Sequence, residues 1–484
     1  MEKISLKRNA SLNGVRTVFA ILFPLITFPY ATRVLQVANL GKVNFSSSIV
    51  NYFLLMAGLG VATYAIREGA GLRNDPEKLN EFGNQVFTIN LISTMISYLF
   101  LFTVLFTVPS LADYRLLLLI QSMSIIFTTV GVEWIYSIYE DYLFITLRSL
   151  AFQVLSLILL FVLVKDTEDY YLYALITVIS TVGSNIINYV HSRKYTKLRL
   201  TRHLGLKKHL KPILIIFSNN ILSTFYVNSD ITLLGFMEGN YSVGIYSVAV
   251  KVYTTVKSVL AAVIIVAIPR LSFYLANNQM ENYRNTVNKV FNYISILILP
   301  SVVGINLLSE ELVIILSGGD YLEAAVSLRI LSVALLFSIY ATVIVSLILL
   351  PMKLEKYILK ATLASAILNV GLNLIMIPAF QEKGAALTTA IAELLVLLMS
   401  YYYAKDHIQL KGIFKNIGAS LVGCVALAGV AIVLRSLISN VILYTCATAG
   451  VGAAVYFLIM LALKNEAVLE VAGPFLSKFR NKKG

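Results

Sequence analysis

The sequence predicts an all-α, polytopic membrane protein with about fourteen transmembrane helices. Hydrophobic residues fill 58% of the 484 positions and charged ones only 13%, about half the charged share of a soluble domain. Apolar runs long enough to cross a bilayer follow one another almost without pause. The alternating pattern of a membrane β-barrel is absent. Backbone groups in lipid must be paired within their own segment, so the runs are helices.

In chain order the expected spans are 17–34, 43–66, 84–109, 116–138, 142–164, 170–191, 212–236, 241–268, 286–308, 322–350, 356–378, 384–404, 414–434 and 440–463. The first run, from Thr17, is followed by no small-residue cleavage pattern and reads as a span, not a signal peptide. Pro24 and Pro29 in that span, and Pro300 in the ninth, predict kinks. Cys424 and Cys446 lie inside late apolar runs without metal-ligand spacing and read as small buried hydrophobes.

Most of the 39 Lys and Arg residues fall in segments that lie on one side if both termini face the cytoplasm. The tail agrees, with Lys478, Arg480, Lys482 and Lys483, and the opposite loops are short and often acidic, as at Asp166, Glu168 and Asp169. This places the net charge of +14 on the inner face, where anionic lipid attracts it. No nucleic-acid partner is implied.

The longest cytoplasmic segment carries Arg193, Lys194, Lys197, Arg199, Arg202, Lys207, Lys208 and Lys211, and divides the chain after six spans. Gly41-Lys-Val-Asn-Phe-Ser-Ser-Ser-Ile in the second span is echoed by Gly244-Ile-Tyr-Ser-Val-Ala-Val-Lys-Val in the eighth. The expected organisation is a six-helix bundle over 1–192, a basic linker over 193–211, and a second six-helix bundle over 212–408. Two further helices fill 409–464 and a basic tail 465–484. The halves would share one topology and face each other across a central cavity.

Charges inside the spans are costly and mark candidate sites. They are Glu133, Arg148, Asp230, Lys251, Lys257, Arg329 and Glu393; Arg16, Arg33, Arg67, Arg270 and Lys360 lie nearer span ends, where they can reach headgroups. Glu133 and Arg148 sit at matching depth, about 10 Å from the turn that joins their spans. Asp230 and Lys251 match similarly across the loop at Gly239. Each pair reads equally as an ion pair holding helices together. Asn219, Asn220, Asn228, Asn369 and Asn373 add hydrogen-bonding groups that helix packing would also explain. There is no G-x-x-x-x-G-K-[ST] phosphate loop, no His-Glu-x-x-His and no Gly-x-Ser-x-Gly elbow. The four histidines form no cluster, and no cofactor is expected.

Several segments resemble the Wzx-type flippases for lipid-linked oligosaccharides, in the superfamily that also holds multidrug/cation antiporters and lipid II flippases. They are Pro24-Leu-Ile-Thr-Phe-Pro-Tyr-Ala-Thr-Arg-Val-Leu, Gly58-Leu-Gly-Val-Ala-Thr-Tyr-Ala-Ile-Arg-Glu, Glu133-Trp-Ile-Tyr with Glu140-Asp-Tyr and Ile145-Thr-Leu-Arg-Ser, and Asn228-Ser-Asp-Ile-Thr-Leu-Leu-Gly. Val243-Gly-Ile-Tyr-Ser-Val-Ala-Val-Lys, Ile268-Pro-Arg-Leu-Ser and Gly384-Ala-Ala-Leu-Thr-Thr-Ala-Ile-Ala-Glu-Leu continue the match to about residue 404. Glu133 departs from it, since many relatives carry Asp there.

The resemblance implies a flippase, not an enzyme, that moves undecaprenyl-pyrophosphate-linked oligosaccharide from the inner to the outer leaflet of the bacterial inner membrane by alternating access. Proton or sodium coupling, membrane lipids and a polysaccharide polymerase are the partners it implies. Arg16, Arg33, Arg67, Arg148, Lys251 and Arg270 are then the expected substrate-binding residues, with Lys251 foremost. Asp230, Glu393 and Glu133 are the expected ion-coupling residues. A cation-coupled multidrug antiporter would share the architecture but need an acidic lumen. A membrane polymerase or ligase would need larger external loops than Ser309–Tyr321.

Overall fold

A computed structural model describes residues 6–407 and 412–470. Among them there is no strand. The helices are α1 (Leu6–Gly58), α2 (Val61–Leu72), α3 (Pro76–Thr107), α4 (Arg115–Gly131), α5 (Glu133–Ile138), α6 (Tyr142–Leu163), α7 (Tyr170–Val178), α8 (Asn185–Ser192) and α9 (Leu206–Met237). Then follow α10 (Asn240–Ile265), α11 (Ile268–Ala276), α12 (Met280–Leu307), α13 (Ser309–Ser317), α14 (Ala324–Ile344), α15 (Glu355–Ala404), α16 (Ile413–Leu437) and α17 (Val441–Ala462).

Among the described residues eleven helices are long and apolar enough to cross a membrane, or twelve with the bent pair Leu206–Leu222 and Thr224–Met237. The expected fourteen is therefore not the number of separate helices. Two of the eleven, Leu22–Leu72 and Glu355–His407, are 51 and 53 residues long, about 80 Å at helical rise and more than twice the hydrocarbon thickness. Each is interrupted by a glutamine outside helical geometry, Gln36 (φ 61, ψ 177) and Gln381 (φ 53, ψ −132). The helices run on through Pro24, Pro29 and Pro300, so the first long segment is broken at Gln36, and again at Leu59 and Gly60 between α1 and α2, but not at a proline. Membrane helices tolerate proline where neighbours satisfy the freed backbone groups.

Large apolar side chains lie on the outside, among them Leu99, Phe106, Val266 and Ile375, as expected where lipid replaces water. Cys424 is buried, but Cys446 is exposed and not the buried residue expected.

Contacts divide the chain into two units, Met1–Gly244 and Ile245–Gly484. In the first, Ser48, Asn51 and Tyr52 of α1 meet Asn228 and Thr232 of α9. Asn51 Nδ2 donates to Asn228 Oδ1 (3.1 Å), Thr232 Oγ1 donates to Ser48 Oγ (2.9 Å), and the Tyr52 hydroxyl lies 3.2 Å from Thr232 Oγ1. The start of α10 approaches α1 backbone to backbone. A Cβ on Gly41 would lie 1.8 Å from the Asn240 carbonyl oxygen, and one on Gly244 would lie 2.2 Å from that of Val37. The two glycines of the sequence echo are thus partners in one contact, which the Tyr114 hydroxyl extends by donating to Asn240 Oδ1 (2.6 Å).

The basic linker is ordered along α3. Asn80, Asn84 and Thr88, spaced by four, accept the backbone N–H groups of Lys197 (3.1 Å), Arg199 (2.6 Å) and Thr201 (3.2 Å), spaced by two. Four helical residues rise about 6 Å and two extended ones about 6.6 Å, so the registers match. Thr196 Oγ1 also donates to Asn80 Oδ1. His209 closes the segment. It is fully buried, with Nδ1 2.8 Å from the Tyr64 hydroxyl and Nε2 2.8 Å from Gln85 Oε1.

In the second unit, α14 is the most buried helix, packed against α15 and α12. The pair α16–α17 leans on α12, where the buried Tyr456 donates to the Ile296 carbonyl (2.8 Å) over Gly423. After α17, Glu470 accepts from Lys289 (2.6 Å) and Tyr293 (2.8 Å), which hold its carboxyl below the usual range.

Candidate functional site

In the first unit the charges converge on Glu133. Gly131 ends α4, Val132 adopts a left-handed conformation (φ 40, ψ 37), and Glu133 opens α5. This break places the carboxylate between two arginines. Arg16 Nη2 lies 2.8 Å from Oε1, and Arg148 Nη2 lies 3.5 Å from Oε2. The Arg148 side chain is only 5% exposed, so its remaining donors need partners. Nη1 donates to Asn185 Oδ1 (3.2 Å) and the Ser184 carbonyl (3.4 Å), while Nε has no partner. Asn185 fits because Gly131 has no side chain: a Cβ there would lie 2.5 Å from the amide carbon.

Just before Ser184, Ile179–Gly183 forms a π-turn, a feature that often marks functional positions. The triad of Arg16, Glu133 and Arg148 carries one net positive charge. The pairing of Glu133 with Arg148 that span depth suggested is present; the share taken by Arg16 was missed, because Arg16, an expected substrate-binding residue near a span end, was assigned no protein partner.

The second unit holds a neutral triad. Glu393, buried on α15, accepts from Lys257 Nζ (2.9 Å) and from the Tyr253 hydroxyl (2.9 Å), both on α10. Tyr246 and Thr389 face each other on the same two helices, 3.2 Å apart. Glu393, expected as an ion-coupling residue, is thus held by a cation and a hydroxyl of its own unit. Its partner is Lys257, a residue singled out as an intramembrane charge but not as part of a site. Glu393 had no partner in the sequence reading, which paired charges only across a shared turn.

The other expected residues have local settings. Arg33 is exposed and donates to the Pro29 carbonyl (2.7 Å). Arg67 is exposed beside Glu68 (3.0 Å). Exposed Arg270 donates to the Tyr274 hydroxyl (2.8 Å) and lies over its ring. Asp230 is buried in the first unit, and Lys251 is half-buried in the second. Arg329 bonds Glu310 (2.7 Å), and Asn373 bonds Asn369 (3.2 Å) and Thr388 (2.5 Å). These last are packing contacts. No group of three or more metal-ligating side chains occurs among the described residues.

The family described as "Polysaccharide biosynthesis protein" matches residues 6–275. A putative O-antigen transporter of Escherichia coli (strain K12) is 23% identical over 409 residues, covering 84% of this chain and 98% of the relative. The capsular polysaccharide biosynthesis protein CapF of Staphylococcus aureus is 24% identical over 410 residues, covering 82% of this chain and 99% of the relative. Among solved structures, the lipid II flippase MurJ in an inward closed conformation superposes with a TM-score of 0.76 at 19% identity, covering 94% of this chain and 99% of that one. At that identity the likeness shows the fold. The resemblance to the Wzx-type flippases and their superfamily, drawn from the sequence motifs, is borne out. With more than half of its length inside the matched region, the chain belongs to the polysaccharide biosynthesis protein family.

Proposed function

We propose that the chain is a flippase for lipid-linked oligosaccharide, carrying repeat units on undecaprenyl pyrophosphate from the inner to the outer leaflet of the bacterial inner membrane. The observation that carries this reading is the Arg16–Glu133–Arg148 triad, a net cationic cluster in a family of polysaccharide biosynthesis proteins. Arginine forks match phosphate oxygens, and the surplus charge suits a diphosphate in transit. The reading includes two six-helix bundles, 1–192 and 212–408, joined by the 193–211 linker, which open alternately to either side, with 409–464 as two added helices. Arg33, Arg67, Lys251 and Arg270 extend the cationic path. Asp230, Glu393 and Glu133 are the coupling candidates of this reading; a proton or sodium ion is the coupling ion, and a polysaccharide polymerase receives the product.

The test is transport by purified protein in proteoliposomes, with lipid-linked glycan and cationic dye as competing substrates. Glycan should cross without ATP, and Asp230→Asn should remove the dependence on an ion gradient. Dye transport with no glycan movement would replace this reading by that of a multidrug antiporter.

Orientation is tested separately, in a chain with Cys424 and Cys446 replaced. A cysteine at Gly239 should react with an impermeant reagent from outside, and one at Leu204 should not. The reverse pattern would invert the topology.

A further inference from the structure

We infer that the docked linker forms a second phosphate site, separate from the Arg16–Glu133–Arg148 triad, that takes the phosphate of a lipid headgroup. Arg193, Lys197 and Arg199 line a pocket of about 300 Å³ together with Tyr189, Ser192 and Leu198, and no carboxylate is among the lining residues. Three cations on a free tether would drift apart. Here the backbone carrying them is fixed, because the N–H groups of Lys197 and Arg199 are held by Asn80 and Asn84, and Arg193 lies over the Tyr189 ring (5.9 Å).

The anchors are uncharged amides, which set the geometry without neutralising the cations. The like charges are therefore held together with no protein counter-charge lining the pocket, an arrangement that an anion relieves. Two of the three cations are guanidinium forks suited to phosphate.

A lipid source is favoured by the flanks. Leu200, Leu206 and Leu210 are exposed along the same segment, and Leu206 and Leu210 line a further pocket with Lys207 and Lys211. Basic side chains beside apolar ones fit the level of the headgroups. This site does not depend on which substrate is transported.

At about fivefold in affinity per cation near an anionic surface, three cations give roughly a hundredfold. Native mass spectrometry of the detergent-purified full chain would measure retention of phosphatidylglycerol, undecaprenyl diphosphate and inorganic phosphate as separate arms. Wild type should hold at least one of the two lipids at least tenfold better than R193Q/K197Q/R199Q, and the arm that responds identifies the source. The N80A/N84A variant keeps every charge but loses the anchors, and should lose retention in the same arm. The three replaced residues are exposed, so an unchanged melting temperature of the triple variant checks its fold. Equal lipid retention by wild type and the triple variant overturns the site, and a dependence seen with inorganic phosphate alone overturns its assignment to lipid.

Discussion

Replacing Glu133 with leucine is expected to cost about 3 kcal/mol of stability, the lower end of the range for breaking a buried ion pair. The lower end applies because the Glu133 side chain is itself 38% exposed. The loss falls on Arg148, which is almost wholly buried and would keep only Asn185 Oδ1 and the Ser184 carbonyl, with Arg16 now a like charge beside it. Arg148→Met is expected to cost less, because Glu133 would retain Arg16 at 2.8 Å and its access to solvent. The double variant Glu133→Leu/Arg148→Met should recover most of the loss, since no buried charge then lacks a partner. Thermal unfolding in detergent measures the stability of all three, and glycan export in a flippase-deficient strain measures their function. Wild-type stability in Glu133→Leu would show that the triad holds nothing together. Restored stability in the double variant with export still absent would assign the charges to transport.

The second large effect concerns the glycine contact between α1 and α10. Gly244→Ala places a methyl group 2.2 Å from the Val37 carbonyl oxygen, and Gly41→Ala places one 1.8 Å from that of Asn240. Both obstacles are backbone atoms, which cannot rotate aside, so the helices must separate. Overpacking of this kind costs about 3 kcal/mol at the upper end of its usual range. It would also pull Asn240 from Tyr114. Gly371→Ala, with nothing within 4 Å of the added carbon, should be neutral or stabilising by up to about 1 kcal/mol. Melting temperatures of the three variants decide it; equal values would mean that the close approach is not maintained in the membrane.

The spans were legible because hydrocarbon imposes a length and a composition on each one. So were the breaks in the two long helices: Gln36 and Gln381 fall in the gaps expected between 17–34 and 43–66 and between 356–378 and 384–404, whereas Pro24, Pro29 and Pro300, where kinks were expected, lie inside continuous helices. Matching depth found Glu133 and Arg148, whose spans are joined by a short turn and so share a zero point. It could not reach Lys257 and Glu393, since α10 and α15 share no turn from which depth could be counted. The ladder on α3 had a visible signal, Asn80, Asn84 and Thr88 at intervals of four beside an extended basic run. It was overlooked because a charged segment between spans reads as solvated tether. The Gly41–Gly244 echo was legible as a repeat, but a repeat does not disclose that its two copies touch.

The docked linker has a mechanical consequence for the helix that follows it. The beginning of α9 is clamped to α2 and α3 through His209, and its far half is fastened to α1 through Asn228 and Thr232. Between these moorings lies the 42° bend separating Leu206–Leu222 from Thr224–Met237. A rod held at both ends cannot slide or tilt as a whole, and the strap before it has no slack to pay out. Displacement of this helix that leaves both moorings intact is absorbed between them, as straightening or deeper flexing of the elbow that joins Leu222 to Thr224.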